Sequence, residues 1–93
     1  MAKGKKIPYT PRYPQVGRAT LPDGGPVQIG DMVRIDPPGK ARGYLAKVTR
    51  LDLEETDGPL RDVTVCVWSR LNGTTHPQHG MTRTFYPAAV KLI

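Results

Sequence analysis

The length, composition and charge of the chain limit it to one small, turn-rich domain with an affinity for polyanions. Ninety-three residues leave room for a single hydrophobic core, and ten prolines with ten glycines make its folded part short and irregular. The only cysteine, Cys66, excludes an internal disulfide framework and a cysteine-based zinc knuckle. The net charge of +6 favours polyanionic partners without specifying a nucleotide sequence.

No targeting or membrane segment is recognisable. The positively charged start, residues 1–6, is not followed by the apolar run of a secretory signal. No apolar stretch is long enough to span a bilayer as a helix. We therefore expect a soluble, cytoplasmic protein, or one carried in a particle that is assembled inside a cell.

Residues 1–26 are predicted to be a disordered or extended basic arm. They contain five prolines and no sustained apolar period, so they cannot donate a regular ladder of backbone hydrogen bonds. Tyr9 and Tyr13 flank Arg12, a composition that could stack on bases or lie in a partner's groove. A solvated tail is the other interpretation of this arm.

Residues 27–93 are predicted to form the folded domain. Val27, Ile29, Val33 and Ile35 share one parity, which indicates a strand with one apolar face and a bend at Gly30. The later runs alternate in the same way or are rich in β-branched residues, and none is convincingly helical. The five predicted strands cover residues 27–35, 43–53, 63–68, 81–86 and 90–93.

Several breaks in pattern define the connections. The apolar parity switches inside the second strand, which predicts a β-bulge near Thr49. Residues 54–59 form an acidic surface turn, and Asn72-Gly73 is a hairpin signal within a longer polar loop. Pro87-Ala88-Ala89 is predicted to be a short turn or a single 3₁₀ turn before the last strand. Cys66, between two valines, is predicted to be a buried thiol, with a reactive thiol as the alternative.

Short motifs at both ends of this domain resemble those of KOW-type and related Src-homology-3-like small barrels. Gly30-Asp31 resembles the Gly-Asp that precedes the first strand in those families, glycines stand at 39 and 43, and the ending 85–93 is similar to the way such barrels finish. The resemblance implies an all-β, five-stranded Src-homology-3-like barrel behind the basic, proline-rich arm. It also implies that the loop after the first strand contacts RNA or protein.

Basic residues supply the candidate nucleic-acid site. Four cations without an acid occur within residues 40–50, beside flexible glycines and the stacking face of Tyr44. A solvated, solubilising cluster is the alternative. The candidate nucleic-acid-binding residues are Lys3, Lys5, Lys6, Arg12, Lys40, Arg42, Tyr44, Lys47 and Arg50.

Trp68, His76 and His79 are the candidate residues for contact with a protein partner. Trp68 either serves as a platform for a partner or a base, or covers an end of the barrel. The two histidines have the spacing of a weak metal pair, but without a third ligand they are interpreted as loop residues, and no metal site is predicted. Ser69 and Cys66 form no recognisable nucleophile arrangement with them.

Two functions remain open at this point. The first is a non-enzymatic barrel that binds the phosphate backbone of DNA or RNA. The second is a protein-interaction module, such as a small viral or accessory factor that docks on a host protein. No enzymatic activity and no cofactor are expected, and an unpaired edge at the first or last strand could support a dimer.

Overall fold

A computed structural model describes residues 13–39 and 41–93, and this part of the chain is all-β, as the sequence predicts. It contains eight strands and one 3₁₀ turn, and no α-helix within the two ranges. No helix in these ranges is long and apolar enough to cross a membrane. The elements are β1 (Gln15–Val16), β2 (Arg18–Thr20), β3 (Pro26–Gln28), β4 (Met32–Ile35), β5 (Tyr44–Leu53), β6 (Leu60–Arg70), β7 (Thr82–Phe85), the 3₁₀ turn (Pro87–Ala89) and β8 (Val90–Leu92).

The main sheet is an antiparallel path in the order β7-β6-β5-β4-β8, and β1 pairs with the far end of β5. Strands β2 and β3 form a separate two-stranded sheet. The path is open, because β7 pairs with β6 and β8 pairs with β4, while the two edge strands do not pair with each other. A closed barrel needs that last ladder, so within the described ranges the strand pairing forms a curled open sheet.

Three register shifts shape the long ladder between β5 and β6, and one of them lies between Asp52 and Leu53. A register shift between Val48 and Arg50 leaves Thr49 as an extra residue, which confirms the bulge predicted there. The Thr49 hydroxyl donates a hydrogen bond to the carbonyl oxygen of Thr64 at 3.2 Å. A second shift, between Leu45 and Ala46, leaves Trp68 as the extra residue of β6. Bulges increase strand coiling, so the sheet curls around its core.

The prediction of one continuous strand over residues 27–35 is wrong. Gly30 has φ +95°, which interrupts the extended backbone and divides the run into β3 and β4. The Gly30 amide donates to the Val48 carbonyl at 2.8 Å, and the Val48 amide donates to the Asp31 carbonyl at 2.9 Å. These bonds turn the chain from the small sheet into the main sheet. Ile29 consequently leaves the predicted apolar face and is 44% exposed.

The structure also places the start of the ordered part earlier than residue 27. Strands β1 and β2 lie within the segment predicted to be a disordered or extended arm. Leu21, in the turn between β2 and β3, is only 2% exposed and belongs to the core. The guanidinium of Arg61 lies 4.1 Å from the ring centroid of Tyr13. The remaining part of the predicted arm, residues 1–12, lies outside the described residues.

The core lies on the concave face of the sheet and consists mainly of the alternating apolar residues that the sequence pattern indicates. Cys66 points to the other face and is half-buried, so the prediction of a buried thiol is only partly met. The buried apolar cluster comprises Leu21, Val27, Val33, Ile35, Tyr44, Ala46, Val48, Leu51, Val63, Val65, Val67 and Val90.

Leu21→Ala tests whether the segment before residue 27 belongs to the folded unit. We expect a loss of about 2–5 kcal/mol in the free energy of unfolding, because a buried leucine leaves a cavity when it is truncated. Urea denaturation followed by far-ultraviolet circular dichroism measures this loss. Ile29→Ala, at the exposed neighbouring position, is the matched control. Equal losses in the two variants would contradict the assignment of Leu21 to the core.

Candidate functional site

A groove crosses one end of the main sheet, between the β4–β5 connection and the β6–β7 loop. It consists of two adjoining depressions of about 680 and about 420 Å³ that share Arg42, His76 and Pro77. None of the residues that line either depression is acidic. We call it the arginine groove, and its principal side chains are Arg42, Arg70, Arg83, Tyr44, His76 and Phe85.

Strand pairing brings the arginines to the groove from three separate segments. Arg70 pairs with Tyr44, and Arg83 pairs with Val65, so both arginines share the core face of the sheet at its rim. Arg42 lies two residues before Tyr44, at the entrance to β5. All three arginines are exposed, and the polar end of the groove is therefore cationic.

These three arginines form no salt bridge within the described ranges. Arg83 instead donates from Nη2 to Oε1 of Gln78 at 2.7 Å, a neutral acceptor that leaves its charge uncompensated. Three other arginines are paired with carboxylates. The shortest distances are 3.0 Å for Arg34 to Asp36, 3.3 Å for Arg50 to Asp52 and 2.9 Å for Arg61 to Glu54.

The floor of the arginine groove is aromatic. The ring centroid of Tyr44 lies 5.0 Å from that of His76 and 6.4 Å from that of Phe85, both in tilted geometry. Neighbouring rings and the core cover Tyr44, which is only 7% exposed and offers little ring surface for the stacking predicted from the sequence. Burial raises the pKa of the Tyr44 phenol, and the positive charge of Arg83 opposes this rise.

The β6–β7 loop, residues 71–81, forms one wall of the groove and is held by local hydrogen bonds. Its tight turn has Gly73 at φ +90°, and Asn72 Oδ1 accepts from the Thr74 amide at 3.0 Å. An isolated bridge pairs Ser69 with Thr75. The hairpin predicted at Asn72-Gly73 is therefore confirmed, together with the longer loop that follows it.

Two histidines attach this loop to β6 through one carbonyl group. His79 Nδ1 lies 2.7 Å from the Trp68 carbonyl oxygen, and the backbone amide of His76 donates to the same oxygen at 3.4 Å. The ring of His76 accepts a hydrogen bond at Nδ1 from the Gln78 amide at 2.9 Å. The described ranges contain no group of three or more side chains that could hold a metal ion. The geometry gives both histidines a role in loop structure.

A second cluster lies on the outer face of the sheet and is here called the tryptophan platform. It consists of Trp68, Lys47 and His79, with Trp68 38% exposed at the β6 bulge. Lys47 Nζ lies 4.8 Å from the centre of the indole, and the ring of His79 lies 4.7 Å from it. A cation–π contact of this exposed kind contributes about 0.5–1 kcal/mol.

The basic residues predicted as one cluster at positions 40–50 have different neighbours in the structure. Arg42 lies in the arginine groove, Lys47 in the tryptophan platform, and Arg50 in its ion pair with Asp52. Lys47 and Arg50 pair with Cys66 and Thr64 on the outer face of the sheet, whereas Arg42 lies at the groove. Five further predicted residues lie outside the described ranges, namely Lys3, Lys5, Lys6, Arg12 and Lys40.

Sequence reasoning missed two of the three groove arginines and Phe85. Arg70 ends the most β-prone run and precedes the Asn72-Gly73 turn, and pairing of that run with the second strand would have placed it beside Tyr44. Arg83 and Phe85 alternate on β7, but no local signal indicated that this short strand would join the same rim.

Comparisons of the chain with protein-family models, with curated proteins and with solved structures find no match. The description of the protein therefore rests on its own structure. It is a small all-β domain with a curled open sheet, an acid-free arginine groove and an exposed tryptophan beside it.

Tyr44→Phe tests the burial of the groove floor through the pH dependence of stability. With a raised folded-state pKa, the phenol contributes stability that is fully present below about pH 10 and is lost as pH rises through the folded-state pKa. We expect the variant to lose less stability than the wild type above about pH 10, measured by urea denaturation at several pH values. Tyr86→Phe, at a 79% exposed tyrosine, is the control. Identical alkaline losses in the wild type and the Tyr44 variant would contradict this account.

Proposed function

We propose that this protein is a non-enzymatic nucleic-acid-binding module that holds phosphate groups of the backbone in the arginine groove. The observation that carries the proposal is the convergence of Arg42, Arg70 and Arg83, none of them ion-paired in the described ranges, on a groove without acidic lining. Guanidinium groups bind phosphate oxygens through two parallel hydrogen bonds, and an acid-free surface does not oppose an incoming anion.

Ion pairing of Arg34, Arg50 and Arg61 favours the groove over the surface around these three arginines. A phosphate that binds Arg34, Arg50 or Arg61 has to compete with a carboxylate already within 3.3 Å. At the groove no such ion pair needs to be broken. The affinity then comes mainly from the release of counterions from the nucleic acid, which is strongly dependent on salt.

The basic residues predicted at the start of the chain belong to the same proposal. Lys3, Lys5, Lys6 and Arg12 lie within a stretch of residues 1–12 that contains no acid. In this proposal they add sequence-independent contacts to the backbone. Their contribution raises affinity without directing the register of the bound strand.

We further propose that the main sheet is an open variant of the Src-homology-3-like barrel. In the order β7-β6-β5-β4-β8, strands β4 to β7 form a four-stranded meander, and a fifth strand, β8, pairs with β4. A 3₁₀ turn stands directly before that last strand, as in the families that the sequence resembles. This likeness supports the proposed fold class. It does not identify the binding partner, which is inferred from the groove.

A protein-interaction module is the second candidate, favoured by apolar side chains exposed around the same loop. Leu71 and Met81 are exposed at its two ends, and Trp68 is exposed beside it. Such residues are common anchors in protein interfaces. This candidate predicts binding that depends on apolar surface and changes little with salt.

Replacement of the groove arginines tests the first candidate. For the triple variant Arg42→Gln, Arg70→Gln, Arg83→Gln we expect a loss of affinity for oligonucleotides of at least about tenfold at low salt. The slope of log affinity against log salt should fall by about 0.7 for each single-strand phosphate contact removed. Fluorescence anisotropy with labelled oligonucleotides at a series of salt concentrations measures both quantities.

The matched control removes the same number of charges elsewhere. Arg18 and Lys91 lie outside the two depressions of the groove and form no salt bridge in the described ranges, so the double variant Arg18→Gln, Lys91→Gln is compared with the double groove variant Arg70→Gln, Arg83→Gln. If the control loses as much affinity as the groove variant, net charge rather than the groove is responsible. Absence of binding by the wild type at low salt would overturn the proposal and direct the search to a protein partner.

A further inference from the structure

We infer that the nucleic acid is single-stranded and that one of its bases stacks on Trp68 in the tryptophan platform. This inference rests on the proposed function and adds to it the class of substrate and the side chain that contacts a base. The observations that support it are the projection of Trp68 from a bulge, the Lys47 ammonium over its ring and the loop that connects it to the arginine groove.

The position of Trp68 in the strand presents its ring to solvent. The register passes from Leu45–Ser69 to Ala46–Val67, so Trp68 has no direct partner on β5. Val67 and Ser69 on either side are buried, whereas Trp68 is 38% exposed on the outer face. Trp68 does not pack in the core, and its exposed apolar ring surface is what a flat aromatic ligand would cover.

The charge around the indole fits a nucleotide. Lys47 Nζ lies over the ring at 4.8 Å, in the region that a stacked base would occupy. An exposed cation–π contact is weak compared with base stacking on an aromatic ring, so a base displaces the ammonium group. The freed Lys47 then lies beside the base and can pair with its phosphate.

The β6–β7 loop connects the platform to the arginine groove. Gln78 accepts a hydrogen bond from Arg83 in the groove, and the next residue, His79, contacts Trp68 on the outer face. Two adjacent residues of one loop therefore contact the two clusters, and in this inference the bound strand crosses the loop to pass from one cluster to the other. The two clusters can therefore engage one continuous strand.

The need for an accessible base face excludes an intact duplex as the ligand of this platform. Bases in a duplex are stacked on their neighbours, and exposing one face requires unstacking. Tyr44, the other aromatic residue near the arginines, is already covered by His76 and Phe85. Trp68 is consequently the aromatic side chain beside the groove that a base can reach.

The test uses the intrinsic fluorescence of the full chain, in which Trp68 is the only tryptophan. The probes are an oligothymidylate of about 12 nucleotides, within the site sizes common for small barrels, the same length of abasic backbone, and a duplex. We expect the oligothymidylate to bind at least about tenfold more tightly than the duplex at equal salt. It should also quench Trp68, whereas the abasic backbone should bind without quenching.

Variants separate stacking from folding. Measured by the fluorescence anisotropy of labelled oligothymidylate, Trp68→Ala should lower the affinity about tenfold with an unchanged salt slope, and Trp68→Phe should recover part of the loss. Tyr86→Ala, which removes an exposed aromatic ring outside both clusters, should bind as the wild type does. Circular dichroism of each variant reports whether it is folded. The quenching experiment uses the wild type, so a folding defect of a variant does not affect it.

The outcomes distinguish this inference from the proposed function. Salt-dependent binding without quenching, or equal affinity for duplex and single strand, overturns the stacking inference and leaves the groove proposal standing. Absence of binding to all three probes overturns both. Tight binding of the single strand that quenches Trp68 in the wild type, with an affinity that Trp68→Ala lowers and Tyr86→Ala leaves unchanged, supports both.

Discussion

The antiparallel ladder between β5 and β6 is the constraint on which the rest of the structure depends. It runs from Tyr44–Arg70 at one end to Leu53–Leu60 at the other, and its bulges coil both strands. Because of this coiling, one face of the ladder encloses the valine core and the other presents Trp68 to solvent. The same pairing brings Arg70 beside Arg42, so the ladder assembles the arginine groove while it builds the core.

Pairing with carboxylates divides the basic residues into two populations. Arg34, Arg50 and Arg61 lie close to acids of neighbouring residues or of the adjacent turn. Arg70 and Arg83 occur where the chain offers no nearby carboxylate in the described ranges. An exposed ion pair contributes little to stability, about 0–1 kcal/mol, but it lowers the local positive potential. The potential that attracts a polyanion is therefore concentrated where acids are missing.

The β6–β7 loop has a double role in this arrangement. His76 packs against Tyr44 on the groove side, and His79 packs against Trp68 on the outer side. Both are tied to one backbone carbonyl, that of Trp68, so the two surfaces share a common support. The sequence identified both histidines as loop residues, but their distribution between two faces depends on how the loop folds back over β6.

The sequence alone determined the all-β class, the bulge at Thr49 and the turn at Asn72-Gly73, because alternation and turn chemistry act over a few neighbouring residues. It also located most of the core. Tertiary structure decided the open path of the sheet, the break at Gly30 and the entry of Leu21 into the core. It alone assembled the groove, since Arg42, Arg70 and Arg83 are distant in the chain and meet only through long-range strand pairing.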